Sequence, residues 1–337
     1  MSSMPWGIFI NSFMKLNNYK GYLYAALAAA AYGTNPIFAK PCYADGMNPD
    51  TVLLFRYVFG LLLLAIVMGY NAWRKHDFRS AFVVNRHTLP QLILMGILMA
   101  LSSLTLFVSY NYMPVGIAST LLFIYPILVA VIMTLCFHEK MSWLVVGCLL
   151  LATFGITLLC KSEGPVDNAA VSLDASGLPN AASTLNSPLC TLNSSFALGF
   201  LFVMLSSLSY AIYLVGLNKT RVRTIASMPV TLYVIFFGMF LFVGRLFMGT
   251  PLMLPDHPLT WLNLFGLGLF PTVVSLVLTA KAIQHIGSTQ TALFGALEPV
   301  TAVVLGILLL GEVISLREFV GMVLIFVSVT LVMCRRR

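Results

Sequence analysis

The sequence predicts an all-α, polytopic membrane protein: ten transmembrane helices arranged as two inverted five-helix repeats. Three observations carry that prediction. Of 337 residues, 59% are hydrophobic and only 9% are charged. A soluble domain carries roughly 25% charged residues, so this chain lacks the polar surface to coat a water-soluble globule. Apolar runs of about 18–23 residues, the length a helix needs to cross a bilayer, recur from end to end. Finally, FIYPILVAVIMTLCFHE at 123–139 and ALEPVTAVVLGILLLGE at 296–312 are both seventeen residues long, with proline fourth and glutamate last. A transmembrane β-barrel is excluded, because its strands alternate apolar and polar residues and these runs are continuously apolar.

Ten spans follow, at 21–40, 51–71, 89–111, 117–137, 142–160, 197–217, 228–248, 260–281, 288–310 and 317–334. Residues 1–20, MSSMPWGIFINSFMKLNNYK, read as a cytoplasmic, interfacial lead-in to the first span. A cleavable signal is not expected, since the lysines follow the apolar part and no small-residue cleavage site is present. The first repeat is 21–160 and the second is 197–334. Between them, 161–196 is rich in Ser, Ala, Asn, Gly and Pro, with no aromatic residue before Phe196, the composition of a flexible external linker. Residues 335–337 form a basic cytoplasmic tail.

Shifting the first half by 173 positions superposes Pro126 on Pro299, Leu135 on Leu308, Glu139 on Glu312 and Ser142 on Ser315. A shift of 171 superposes Gly116 on Gly287. An odd number of spans per half places the halves in opposite orientation, the device by which alternating access is usually built. The charges orient the whole. With the amino terminus in the cytoplasm, fourteen of nineteen Lys/Arg fall on the cytoplasmic side: Lys15, Lys20, Arg74, Lys75, Arg79, Arg86, Lys140, Lys219, Arg221, Arg223, Lys281 and Arg335 to Arg337. This is the positive-inside pattern, with both termini cytoplasmic in a multi-pass cell (inner) membrane protein. The net charge of +8 is therefore a topology signal facing anionic lipid, not a nucleic-acid surface.

The six cysteines give no metal pattern, and no cofactor is expected. Cys42, Cys160 and Cys190 fall outside and allow one disulfide in three ways, among which sequence does not choose. Asn193 and Asn218 begin sequons, the second on the cytoplasmic side. No enzymatic reading survives. There is no GxSxG, HExxH or phosphate loop, the five histidines lie at loops or span edges, and no aspartate lies within a span.

The run from IGSTQTALFGALEPV through LLLGE to LREFVGMVLIF resembles the EamA-type transporters of the drug/metabolite transporter superfamily, and YGTNPIFAK at 32–40 and LLFRYVFGLLLL at 53–64 resemble its first two helices. The resemblance implies ten helices in two inverted bundles around a cavity lined chiefly by helices 1, 3, 4, 6, 8 and 9. It also implies a secondary transporter of small organic metabolites such as amino acids or derivatives, working as an exporter. An uncoupled facilitator or exchanger, or a non-transporting receptor or assembly subunit on the same fold, are the alternatives. The insert at 161–196 is longer than the connection usual between the family's halves. Substrate, coupling and oligomeric state are not read from sequence.

Among eleven carboxylates, Glu298 alone sits midway through a span. A carboxyl at that depth costs several kcal/mol unless it is paired, wet or protonated. Three roles stay open: a protonation switch coupling solute to protons, a fixed bond tying helix 9 to a neighbour, and ligand contact. Pro126 and Pro299 each withdraw a donor from the carbonyl four residues earlier, on Leu122 and Gly295, and read as hinges of the two bundles. Arg56 is read either as an anion-binding guanidinium or as one that snorkels or caps neighbouring carbonyls; Lys281 either snorkels or touches the cavity. Tyr32, Thr34 and Asn35 interrupt helix 1 beyond the small-residue run AALAAAA, and Tyr125, Tyr210 and Tyr213 are further cavity candidates. Together they suit a small, partly apolar, zwitterionic or aromatic solute. Glu139 and Glu312 are read as structural, with Ser142 and Ser315 capping the helices that follow.

Overall fold

The architecture is that of a computed structural model, which describes residues 6–75, 85–109, 112, 118, 121–139, 142–159, 194–310 and 316–334. All its regular elements are helical. In the first repeat, α1 (Trp6–Gly33) and α2 (Asn35–Ala44) make the first span. The next four are α3 (Pro49–Lys75), α4 (Leu89–Ser109), α5 (Tyr125–Phe137) and α6 (Trp143–Leu159). In the second, α7 (Ser194–Lys219) and α8 (Ser227–Phe247) come first. The eighth span joins α9 (Pro258–Gly268), a π-helical turn Leu269–Val274 and α10 (Ser275–Ile286). The ninth joins α11 (Ser288–Phe294) to α12 (Leu297–Leu310), and α13 (Leu316–Cys334) is the tenth. Six of these stretches are long and apolar enough to cross a membrane, and Tyr125–Phe137, Trp143–Leu158 and Phe319–Leu331 are shorter apolar helices. Large apolar side chains such as Ile66, Phe154 and Leu308 point outward, while Ser102, Ser206, Ser207 and Thr272 are buried. That inside-out distribution suits a hydrocarbon surround.

Several boundaries differ from the sequence expectation. Helix begins at Trp6 instead of residue 21, because nothing between Ile8 and Lys20 stops it. The eighth span runs past Lys281 to Ile286 and ends at Gly287, whose φ of +81° reverses the chain without a Cβ clash. The Lys281 ammonium is accommodated within the span, 5.5 Å from the Tyr24 ring centroid. Residues 160–193, and with them Cys160, Cys190 and Asn193, lie outside the described residues, as do Glu312, Ser315 and the tail 335–337. Ser194 to Phe196, expected in the linker, are already helical. Cys42 is a buried free thiol that donates to the Phe38 carbonyl.

Proline interrupts the fourth, eighth and ninth spans, and in these the withdrawn donor is replaced. The Leu122 carbonyl freed by Pro126 accepts from the Ser207 hydroxyl of α7, at 3.1 Å. The Gly295 carbonyl freed by Pro299 accepts from the Glu298 N–H at 2.9 Å, a tight turn that separates α11 from α12. The Leu267 carbonyl freed by Pro271 accepts from the Thr272 hydroxyl at 2.8 Å, within the π-helical turn. Lipid offers no water to satisfy such groups, so side-chain hydroxyls and local turns take its place.

The helices pack in pairs that exchange under a swap of halves. Helix 3 packs on helix 6, and helix 8 on helix 1; helix 4 packs on helix 6, and helix 9 on helix 1. Helix 3 also meets helix 7, and helix 8 meets helix 2, while the pairs 2–7 and 5–10 are their own mates. Contacts that map onto themselves when repeats are exchanged define a pseudo-two-fold relation, the geometry expected of inverted repeats.

Candidate functional site

The two repeats meet around a small polar centre. Tyr32 of α1, Ser102 and Ser103 of α4, Tyr125 of α5, Tyr210 of α7 and Glu298 of α12 line one space of about 20 Å³. Tyr125, Tyr210 and Glu298 also line a second, of about 10 Å³, with Ala28, Thr291 and Gly295. Each holds about one water molecule and no organic solute, so this conformation is closed around its centre. The small-residue run of α1 and Gly33 let helix 9 come close. A Cβ on Gly33 would stand 2.6 Å from the Glu298 backbone oxygen and 2.7 Å from Thr301 Cβ. Tyr125 and Tyr210 meet edge to face at 4.8 Å, and a Cβ on Gly295 would overlap the Tyr125 hydroxyl. Ser206 donates to the Ser102 carbonyl at 2.7 Å, locking helix 6 to helix 3 beside the centre.

Arg56 is 3% exposed and does not snorkel; it points inward and caps a backbone carbonyl, the other form of the structural reading. Its position on α3 places it against the π-helical turn. Its Nε donates to Thr272 Oγ1 at 2.7 Å and its Nη2 to the Pro271 carbonyl at 3.2 Å, while the guanidinium lies over Tyr32, 5.3 Å from the ring centroid. Among the described residues no carboxylate lies within ion-pairing distance of Arg56. Its charge reaches Glu298 through space only. Likewise, no described residue holds the Glu298 carboxyl by a hydrogen bond, so the fixed-bond role finds no partner in this conformation.

Contacts between elements lie toward both ends of the bundle. At the end where α1 begins, Tyr22 stacks on Phe294 at 5.4 Å and donates to Gln290 Oε1 at 3.1 Å. Beyond these contacts lies a vestibule of about 360 Å³, lined by Glu139, Asn218, Arg223, His285, Ser288 and Gln290 among others. Here Glu139 pairs with Lys219 at 2.7 Å, after His138 in the left-handed region ends α5. Asn218 is buried against Ser288. Ser142 Oγ accepts from the Leu144 N–H at 3.2 Å, as a cap for α6. At the opposite end Asp50 pairs with Arg245 at 3.2 Å, Thr260 donates to Asp45 at 2.7 Å, and Asn48 donates to the Pro251 carbonyl at 2.7 Å.

The structure thus brings Tyr32, Tyr125, Tyr210 and Glu298 together, with Arg56 behind Tyr32. Tyr213 stacks on Tyr210 at 5.9 Å but is core. Thr34 bonds the Ala31 carbonyl and starts α2 with Asn35; neither lines the centre. Lys281 stands toward the vestibule end, over Tyr24. Sequence reasoning passed over Ser102, Ser103, Ser206 and Ser207, although the tetrapeptide LSSL occurs at both 101–104 and 205–208. It also passed over Gly33 and Thr272, whose roles arise only from what packs against them.

Residues 19–160 and 197–334 each match the EamA-like transporter family. An uncharacterized transporter of Bacillus subtilis is 25% identical over 92% of this chain and 91% of its own length. One of Synechocystis sp. is 26% identical over 83% of this chain and 78% of its own. A solved crystal structure, 15% identical, superposes with a TM-score of 0.69 over 96% of this chain and 98% of that one, a likeness of fold.

Proposed function

Because the chain belongs to the EamA-like transporter family, we propose that it is a secondary carrier of small organic metabolites, amino acids or their derivatives among them. It works by alternating access between the two inverted bundles in a cytoplasmic membrane, with both termini inside. The observation that carries this reading is the closed centre where the repeats meet. Glu298 and three tyrosines line it, and the Tyr22–Phe294 stack on one side and the Asp50–Arg245 pair on the other are read as the contacts that shut it. Breaking Tyr22–Gln290–Phe294 opens the centre to the vestibule, and breaking Asp50–Arg245 opens it to the other side. A site that is closed from both ends by small, separable contacts suits a carrier better than a channel. Outward transport is taken from the family resemblance.

Reconstitution into proteoliposomes tests the proposal, with counterflow measured across a panel of amino acids, their derivatives and neutral metabolites. Saturable counterflow of any of them supports a carrier. None across the panel would favour a receptor or assembly subunit on the same fold.

Glu298 supports a second level, coupling to protons. Its carboxyl borders both small cavities and is held by no described side chain, so it is free to exchange a proton with a passing solute or water. Glu298→Gln removes that exchange. The variant is expected to lose proton movement per solute carried, at whatever counterflow rate it retains. If proton movement persists unchanged, Glu298 is not the coupling group; absence of solute-driven proton movement in the wild type would mark an uncoupled facilitator or exchanger.

A further inference from the structure

Arg56 is a buried cation whose partners do not match its charge. It uses two of its five N–H donors, on a hydroxyl and a backbone carbonyl. Burying a charge without a counter-ion costs several kcal/mol. Packing alone does not call for it, since an unbranched apolar side chain would fill the same space. The two bonds it makes, to Thr272 and Pro271, fix the guanidinium plane through the π-helical turn and leave the Nη1 side without a described acceptor. A π-helical turn inside an α-helix is a common mark of a functional site. The face of the guanidinium rests on Tyr32, and Tyr32 lines the same space as Tyr125, Tyr210 and Glu298.

We propose that Arg56 is the anchor for a carboxylate of the transported solute, with Tyr32 as the side chain that covers it when the centre is closed. The inference rests on the carrier reading above and names the solute class: small molecules that carry one carboxylate. When the bundles part, the carboxylate docks on the open edge of the guanidinium in forked geometry, and the rest of the solute lies toward Tyr125, Tyr210 and Glu298. An ammonium on the solute would then face the Glu298 carboxyl. A phosphate monoester fits less well. It brings close to two negative charges, and neither cavity is lined by a lysine or arginine that would answer the second.

The test uses the full-length purified protein and matched probe sets built on leucine, methionine, phenylalanine and tryptophan. Each set holds the amino acid, its decarboxylated amine and its deaminated acid, with phenyl phosphate as the dianionic comparison. Binding is read as a concentration-dependent rise in melting temperature, and transport as counterflow in proteoliposomes. In at least one set the carboxylate-bearing members are expected to bind and the amine to bind roughly thirtyfold more weakly or not at all. Arg56→Gln should lose the carboxylate-bearing probes by a similar factor. Arg56→Lys should hold them weakly, as a point charge without the fork.

The proposal fails if the amine binds as well as the acid, if phenyl phosphate is preferred, or if Arg56→Gln binds the acid like wild type. It also fails if no carboxylate-bearing probe binds. Counterflow of an amine or neutral compound in that last case would leave the carrier reading standing and overturn the Arg56 assignment alone. Should Arg56→Gln not fold, the acid-against-amine comparison in wild type decides, together with Thr272→Val. That variant keeps the charge but releases Nε, and it is expected to weaken acid binding several-fold.

Discussion

Tyr125 and Glu298 stand at equivalent positions in the two repeats, and the folded chain brings both to the walls of the same two cavities. Each immediately precedes a proline in the first turn of a helical segment, α5 in one repeat and α12 in the other. The repeats therefore supply one such proline apiece, but only the second carries a carboxyl beside it. The phenol of Tyr125 lies against Gly295, one turn before Glu298, so the first repeat's residue braces the break in the second.

The close approach of helices 1 and 9 depends on Gly33. A valine there would drive its side chain into the Glu298 carbonyl and Thr301, at a cost of about 1–3 kcal/mol. Gly69, around which a Cβ meets nothing within 4 Å, is the control, and Gly69→Ala should leave stability within about 0.5 kcal/mol. Equilibrium unfolding of the two variants checks this. Equal stability of Gly33→Val and wild type would show that the contact is not needed.

The Ser207 hydroxyl stands in for the N–H that Pro126 lacks. Ser207→Ala should destabilise by about 1 kcal/mol, since it leaves the Leu122 carbonyl without that donor. With Pro126→Ala already present, the helix can bond that carbonyl itself, and the same serine deletion should cost markedly less. A double-mutant cycle measures the difference, and purely additive effects would reject the compensation.

The Asp50–Arg245 pair is part-exposed, with side chains 18% and 33% accessible, so its loss should change stability by less than about 1 kcal/mol. Its effect should be on access. Asp50→Asn is expected to speed labelling of a cysteine placed at Tyr32 by an impermeant thiol reagent several-fold, and exchanging the two charges should restore slow labelling. Identical rates in all three would remove this pair from the closure.

At the other end, Tyr22→Phe keeps the stack on Phe294 but loses the bond to Gln290. Labelling of a cysteine at Thr291, on the wall of the smaller cavity, should accelerate from the vestibule side alone. Acceleration from the Asp50 side as well would mean that the two closures are not independent.

Much of the fold was legible because bilayer constraints are written in composition and length. A continuously apolar run has few structures open to it in lipid, and the positions of Pro126, Pro299 and the paired glutamates disclose the duplication directly. The prominence of Glu298 was equally plain, since a lone carboxyl in an apolar run stands out against every neighbour. What sequence left open was decided by packing between segments far apart in the chain. Arg56 reads alike whether it snorkels or is buried, and only Thr272 and Pro271, more than two hundred residues away, draw it inward. Tyr210 and Tyr213 look equivalent along their helix, yet rotation of α7 puts one at the cavity and the other in the core. Gly33, Ser102 and Ser207 have no signal of their own, because their roles consist of the backbone and hydroxyls they meet on other helices. Sequence by itself determined the ten-span, two-repeat plan and the single deep carboxyl, both consequences of how one chain interacts with lipid. Tertiary structure alone decided which polar groups share a space, because that depends on helix rotation and proximity, which hydrophobicity constrains only weakly in a buried bundle.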